Sequence, residues 1–520
     1  MKIELLQKDI EKYEIKGSIK NKTELYIETS PSEIRDIVSK LLSEYKLNFV
    51  AEFCNNGNDT LKINVIMSSR TNGYFVVIGY NTKVEIVSLQ DLIYQSHLFE
   101  REMSDLYGLK ILGGRDTRNL VKHEVWQRDV YPLRKDFPFG QKIKDNRETP
   151  EYGFKALEGE GGYQIAVGPV HAGVIEPGHF RFSVMGEQIE NLEIRLMYKH
   201  RGIEKIAENL DANELNLLFE RVSGESTAAY GEAYALLVEK LLGKKPPVEV
   251  QALRVVVLEL ERMYNFLDDI AGACVDVGYS YPAKKFGYFS EMIHQLCERI
   301  TGSRYLRNAI IPCGNNVDFT REKAQDVLKT LNGLKGRMKD IIDMTLNAVS
   351  FLDRVENTGI VYNEKAKRLC MTGIAGRASG IIYDVRHSFG YEIYKSVKES
   401  VNTETIGGAF ERYKLRVQEI GDGFSIIEKA LSSIDSDISV SRVNLSLQEG
   451  MEALVAVETV KGELVVYGKV GKDNKFDRVY FKTPSFTNWD GLTYAVLGEI
   501  VPDFPLCNKS FSMSYSENDR

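Results

Sequence analysis

Cysteine is scarce in this chain: six residues in 520, namely Cys54, Cys274, Cys297, Cys313, Cys370 and Cys507. None forms a C-x-x-C pair, so the closely spaced ligands used by structural zinc and by cysteine-held iron–sulfur clusters are missing. The six read as buried, reduced thiols acting as small hydrophobes in a cytosolic chain. Any iron–sulfur chemistry must then reside in another polypeptide. No run approaches the ~18–20 consecutive apolar residues of a membrane span. The opening MKIELLQKDIEKYEIKG alternates charged and apolar residues and has no apolar h-region. It predicts a protein made and kept in the cytosol, reaching a membrane through partners. Positive charge is not in excess either: 67 Lys+Arg stand against 74 Asp+Glu, a net charge of −7 spread along the chain. That argues against a nucleic-acid partner, which needs a concentrated basic face. No G-x-G-x-x-G follows a strand, so no dinucleotide site is expected.

What is present is ordinary folding material. Hydrophobic residues make up 43% of the chain, enough for a sizeable core without covalent staples. Residues 1–140 read as a small α/β unit. LYIET (25–29) and YFVVIGY (74–80) are β-rich runs. Over 33–45, Ile34, Ile37, Leu41 and Leu42 share a helical face behind Ser32 as N-cap. Phe99, Met103, Leu106 and Tyr107 mark a second helix, with Gly108 placed for its C-cap. The polar, glycine-bearing stretch 141–163 reads as a linker. Beyond it, 164–520 begins with a hairpin: Phe180, Phe182 and Val184 alternate with polar residues, then Leu192, Ile194 and Leu196 do so after a Met185-Gly186-Glu187 turn. The chain then turns helical over 203–430. One apolar stripe runs through Leu253, Val256, Val257, Leu260, Met263, Tyr264 and Leu267. Another joins Val327, Leu331, Leu334, Met338, Ile341 and Leu346. Residues 452–482 return to a three-strand meander. The expected class is α+β.

The informative string is Arg201-Gly202-Ile203-Glu204, sixteen residues, then Arg221-Val222-Ser223-Gly224-Glu225-Ser226, with Tyr230 four further on. Its counterpart is Ser514-Tyr515-Ser516-Glu517-Asn518-Asp519-Arg520. Together they resemble the [NiFe] hydrogenase large subunit, whose signatures run R-G-x-E, sixteen residues, R-x-C-G-x-C-x-x-x-H, and D-P-C-x-x-C-x-x-H/R. The four metal-holding cysteines fall on Ser223, Ser226, Ser514 and Glu517, and the histidine on Tyr230. Nickel–iron chemistry needs soft thiolates, and a serine hydroxyl is hard and stays protonated. The resemblance therefore implies the frame of a hydrogenase with its nickel–iron ligands gone.

The complex I large subunit, which resembles the same frame, also lacks those cysteines and ends G-E-V-D-R, close to Glu517-Asn518-Asp519-Arg520. GIAGRASGIIYDVR (373–386), GPVHAGVIEPGHFRF (168–182) and YKHRGIEK (198–205) look like the membrane-bound, energy-converting hydrogenase branch. LFEREMSDLYGL (98–109) with PLRKDFP (132–138) resembles the neighbouring 30 kDa-type subunit of complex I, fused here to the large subunit, as in formate-hydrogenlyase-type enzymes. The resemblance implies a mainly helical hydrogenase-large-subunit-like domain behind the small α/β one.

It further implies an iron–sulfur small subunit holding a [4Fe–4S] cluster, a ferredoxin-like subunit and antiporter-like membrane subunits as partners. The placement it implies is peripheral, on the cytoplasmic side of the cell membrane. Ser223, Ser226, Ser514 and Glu517 should line a vacated pocket. His179, Glu204, Arg377 and Tyr230 are the candidates for a proton relay or acceptor site beside it. His179 matches the complex I quinone-site histidine, while the tyrosine position falls near Gly224, with Tyr230 as stand-in. Three readings stay open: a role in coupling electron transfer to ion translocation, a reductase site for quinone or another small acceptor, and a structural scaffold. Taken alone, FEREMSDLYG also reads as a helix with its charges in water. Arg377, Asp384 and Arg386 also read as a buried ion-pair cluster.

Overall fold

The computed structural model describes residues 2–57, 60–145, 147–155, 161–170 and 175–520. His171 and its neighbours to 174 lie outside the described residues. The first sheet has five strands in the spatial order Gly17–Asn21, Glu24–Glu28, Tyr74–Thr82, Leu61–Ser69, Asn48–Asn56. Glu24–Glu28 runs parallel to Tyr74–Thr82, across the helix Ile34–Ser43, and the other pairings are antiparallel. Strands Asn48–Asn56 and Leu61–Ser69 show no apolar/polar alternation because they are buried almost throughout. The helix Ile34–Ser43 buries Ile34, Ile37 and Leu41 as expected, but Ser32 does not cap it. The Glu33 carboxylate instead accepts bonds from Ser30 N, Ser30 Oγ and Thr29 Oγ1, and Ser32 pairs with Ser30.

The helix Ser96–Tyr107 ends on Gly108, whose φ of 72° is the left-handed value that favours glycine. Its charges do not face water: Glu100, Arg101, Glu102 and Asp105 are all buried. This helix lies between the first sheet and the rest of the molecule, with Phe99 against Phe49 and Phe486.

The hairpin forms as His179–Met185 and Gln188–Arg195, turning at Gly186. A third strand, Gly162–Val167, joins it and starts inside the expected linker. Its half-exposed sequence GYQIAV gives little apolar signal. Arg195, one of the polar alternates, is buried because Tyr152 and Glu124 cover its face: the guanidinium lies 4.7 Å from the Tyr152 ring centroid and pairs with Glu124 at 2.6 Å.

The helical body is built on Val248–Asp276, which packs against Ser280–Thr301 and Ala409–Leu431. All seven residues of its predicted stripe are buried, and so are Arg254, Glu259, Glu261 and Arg262. The helix is a central pillar and not an amphipathic surface element. Arg321–Leu346 lies outside and buries one stripe, Val327, Leu331, Leu334, Met338 and Ile341.

The meander Glu452–Thr459, Gly462–Val470, Phe476–Lys482 faces the first sheet. There Phe53 stacks on Tyr480 with ring centroids 4.5 Å apart. Asn55 donates to Tyr467, Arg478 donates to the Cys54 carbonyl, and Lys240 pairs with Glu24.

Candidate functional site

The loop 221–226 and the tail 514–520 meet, and Arg201 is the clasp. Its backbone N–H donates to the Asp519 carbonyl at 2.7 Å. Its guanidinium donates to the carbonyls of Arg221 (2.5 Å), Val222 (2.8 Å) and Ser516 (2.7 Å). Lys461, in the first turn of the meander, makes a second bridge, to Glu225 of the loop at 2.8 Å and to Ser512 Oγ at 2.7 Å.

Ser223, Ser226, Ser514 and Glu517 are fully buried at this junction. Tyr230 lies one turn into the helix Thr227–Leu242 and donates its hydroxyl to Glu517 Oε1 at 3.1 Å. The other Glu517 oxygen accepts from Ser485 N at 3.1 Å, and Thr483 Oγ1 donates to the Glu517 carbonyl. No ion pair reaches the Glu517 carboxyl among the described residues. Burial accordingly raises its pKa above the usual carboxylate range. Burial and the adjacent Glu517 push the Tyr230 hydroxyl up as well.

Ser514 is bonded to other serines. Its N–H donates to Ser485 Oγ, and its hydroxyl shares a 2.9 Å bond with Ser516. Ser223 Oγ and Ser226 Oγ have no hydrogen-bond partner among the described residues, although both are buried. Ser226 stands at the N-cap position but does not cap. Glu261 from the central pillar takes that role, accepting from Ala228 N (2.6 Å) and Ala229 N (3.0 Å). Burial raises Glu261 to about 8 in spite of those donors.

Glu204 follows Gly202, whose φ of 65° starts the short helix Ile203–Ala207. Its carboxylate accepts from Arg478 at 2.7 Å, from Arg520 at 3.4 Å and from Phe481 N. Burial opposes its ionisation, but the charges of Arg478 and Arg520 outweigh burial and hold its pKa below the usual value. Arg520 also forks onto Glu102 at 2.8 and 3.0 Å. For Glu102, burial outweighs Arg520, and its pKa rises to about 7. Close by, burial and then Arg520 lower His200 to about 4, keeping it neutral.

The other two predicted relay residues sit apart from this group. His179 Nδ1 donates to the Gly168 carbonyl at 3.2 Å, and its Nε2 accepts from Arg181 Nε at 3.2 Å. Those two bonds fix the neutral tautomer. The strand carrying it borders the tail, since a Cβ on Gly178 would lie 2.8 Å from the Tyr515 ring. Arg377 belongs to a separate buried network. It bonds Asp384 at 2.5 Å, and Arg386 joins Asp384 (2.6 Å), Glu419 (2.5 Å) and Glu259 (2.9 Å). Of the predicted relay, Tyr230 and Glu204 touch the tail, His179 borders it, and Arg377 does not reach it. Sequence reasoning misses Glu102, Arg478, Lys461 and Glu261. Each carries an ordinary charge in an amphipathic pattern, and its partner lies far away in the chain.

With the R-G-x-E loop clasped to the tail, the frame that the signatures resemble is present, and comparison with known proteins places the chain among complex I-like oxidoreductase subunits. The family described as the respiratory-chain NADH dehydrogenase 30 kDa subunit matches residues 27–142, and that of the 49 kDa subunit matches residues 276–450. Hydrogenase-4 component G of Escherichia coli K12 is 30% identical over 423 residues, covering 81% of this chain and 73% of that protein. Formate hydrogenlyase subunit 5 of the same organism is 28% identical, covering 81% and 74%. The C/D subunit of an NADH-quinone oxidoreductase from Bacteroides fragilis is 27% identical over 503 residues, covering 88% and 92%. The chain belongs to this family of fused complex I-type and hydrogenase-related subunits.

Proposed function

We propose that this chain is the large subunit of a membrane-associated, complex I-like oxidoreductase that works without a nickel–iron centre. In this reading it couples electron arrival at a partner's iron–sulfur cluster to proton or ion translocation. The observation that carries it is the clasped loop and tail with oxygen donors at all four signature positions. Three hydroxyls and one hydrogen-bonded carboxyl do not fit a nickel–iron pair, which takes soft thiolates.

The junction supplies groups that exchange protons near neutral pH. Burial raises Glu102 to about 7 and Asp519 to about 6, and Glu517 rises as well. Arg520 lies between Glu102 and Glu204, so a charge change beside the tail shifts the proton held on Glu102. The Tyr230 hydroxyl and both His179 nitrogens are engaged within the chain. That favours a relay over direct hydrogen bonding to a quinone or other acceptor. The implied partners are a [4Fe–4S] small subunit against the loop, a ferredoxin-like subunit, and antiporter-like membrane subunits at the cytoplasmic face.

The test uses the assembled complex. Nickel per large subunit should be far below one, and stoichiometric nickel overturns the metal-free reading. Glu204→Gln and His179→Ala should each lower ion translocation per electron transferred, and wild-type coupling in both overturns the relay.

A further inference from the structure

Beside the tail, which contributes Asn518 to its wall, a cavity of about 620 Å³ opens between the helix Ser96–Tyr107, the strand Gln188–Arg195 and the helix Pro484–Ala495. Its size lies within the range of small-molecule sites. We propose that it binds a small, multiply charged oxyanion, a polycarboxylate or a phosphate ester.

The charge balance of the walls comes first. Arg101, Arg115, Arg118, Lys155 and Arg195 line it, against Asp116, Glu193 and Asp490. Asp116 holds both Arg101 and Arg118, Arg101 also donates to the Arg118 and Asn119 carbonyls, Glu193 holds Arg118 as well, and Arg195 is held by Glu124 from outside the cavity. Arg115 has no ion-pair partner among the described residues, so cations stay in surplus even with Glu124 counted.

Unmet donors are the second observation. Arg195 Nε and Trp489 Nε1 have no hydrogen-bond partner among the described residues, and these side chains belong to residues only 7% and 4% exposed. Both groups can only donate, and neither atom is open to solvent, so an acceptor meets them only where the surrounding side chains move aside.

The third observation is a preformed wall. Tyr152 lies between the guanidiniums of Arg118 and Arg195, 4.6 and 4.7 Å from its ring centroid. The stack holds both arginines in place before any ligand arrives. Guanidinium forks suit carboxylate and phosphate oxygens alike.

The chain has two tryptophans, Trp126 and Trp489, and only Trp489 lines the cavity. In full-length Trp126→Phe protein, Trp489 is therefore the sole indole reporter. Citrate and inorganic pyrophosphate are titrated separately at constant ionic strength, with chloride as control. Saturable change in Trp489 emission is expected with at least one of them. Arg115→Ala or Arg195→Lys, the latter keeping the charge but losing Nε, should weaken binding about tenfold. Response to citrate alone assigns a carboxylate ligand, and response to pyrophosphate alone a phosphate ligand. No saturable change up to about 10 mM, or saturation that neither substitution weakens, overturns the proposal.

Discussion

Glu102 offers the most direct check on the electrostatics of the tail. It is buried, its one ion-pair partner among the described residues is Arg520, and its pKa is raised from the usual 4.5 to about 7, chiefly by burial. A carboxyl with a raised native pKa binds its proton more tightly when folded. Its contribution to stability is full below the unfolded value of 4.5 and is lost as pH rises through about 7. At ~1.4 kcal/mol for each unit of pKa difference, the loss between pH 5 and pH 8 is about 2–3 kcal/mol. Glu102→Gln keeps the shape and removes the titration. Urea unfolding of both full-length proteins, followed by tryptophan fluorescence, gives the difference between them at each pH. Titrating groups remote from Arg520 cancel in that difference. Wild type minus variant should fall by about 2–3 kcal/mol from pH 5 to pH 8. A gap constant within about 0.5 kcal/mol would refute the reasoning, because Arg520 would then hold Glu102 ionised throughout.

Three further outcomes are expected of the isolated chain. Ser223→Ala and Ser226→Ala should each leave stability unchanged or raise it by up to about 1 kcal/mol, since neither hydroxyl has a partner among the described residues to lose; chemical unfolding that shows a marked loss would mean that the hydroxyl removed is bonded. Arg386→Met should destabilise by about 3–5 kcal/mol, because Asp384, Glu419 and Glu259 lose their shared guanidinium; a stability within about 1 kcal/mol of wild type would contradict the network. Gly373→Ala should cost about 2 kcal/mol or more, as Gly373 has a φ of 65° and a Cβ there would lie 2.5 Å from the Lys461 carbonyl oxygen; unaltered thermal unfolding would show that the turn can move aside.

The outer helix Arg321–Leu346 is legible because water covers its other side and leaves one periodic apolar stripe. The central helix Val248–Asp276 shows a stripe too, but the sequence does not reveal that its charged residues Arg254, Glu259, Glu261 and Arg262 are buried as well. Strands Asn48–Asn56 and Leu61–Ser69 escape such a reading, since burial on both faces erases the alternation. The meeting of the loop with the tail is legible through the two signatures and their resemblance to a known frame. Composition and periodicity alone do not join residues some 300 positions apart, such as Arg201 and Ser516. Arg377 shows the reverse case. Its motif points to the site, but Asp384, seven residues on, and Glu419 hold it elsewhere. Glu102 is hidden because a charge at helical spacing normally faces solvent, and only the fold supplies Arg520 as its partner.

The first sheet and its helix meet the rest of the molecule through Asn55 on Tyr467, Arg478 on a backbone carbonyl and Lys240 of the helix Thr227–Leu242 on Glu24, and through aromatic contacts of Phe53, Phe75 and Phe99. Two free-standing polypeptides would need a large dry contact to find each other at cellular concentrations. Covalent continuity within one chain raises the effective concentration of one face for the other to about the millimolar range. A smaller contact then suffices, and the stoichiometry of the two units is fixed at synthesis. Two pieces made separately would associate only in proportion to how much of each is present.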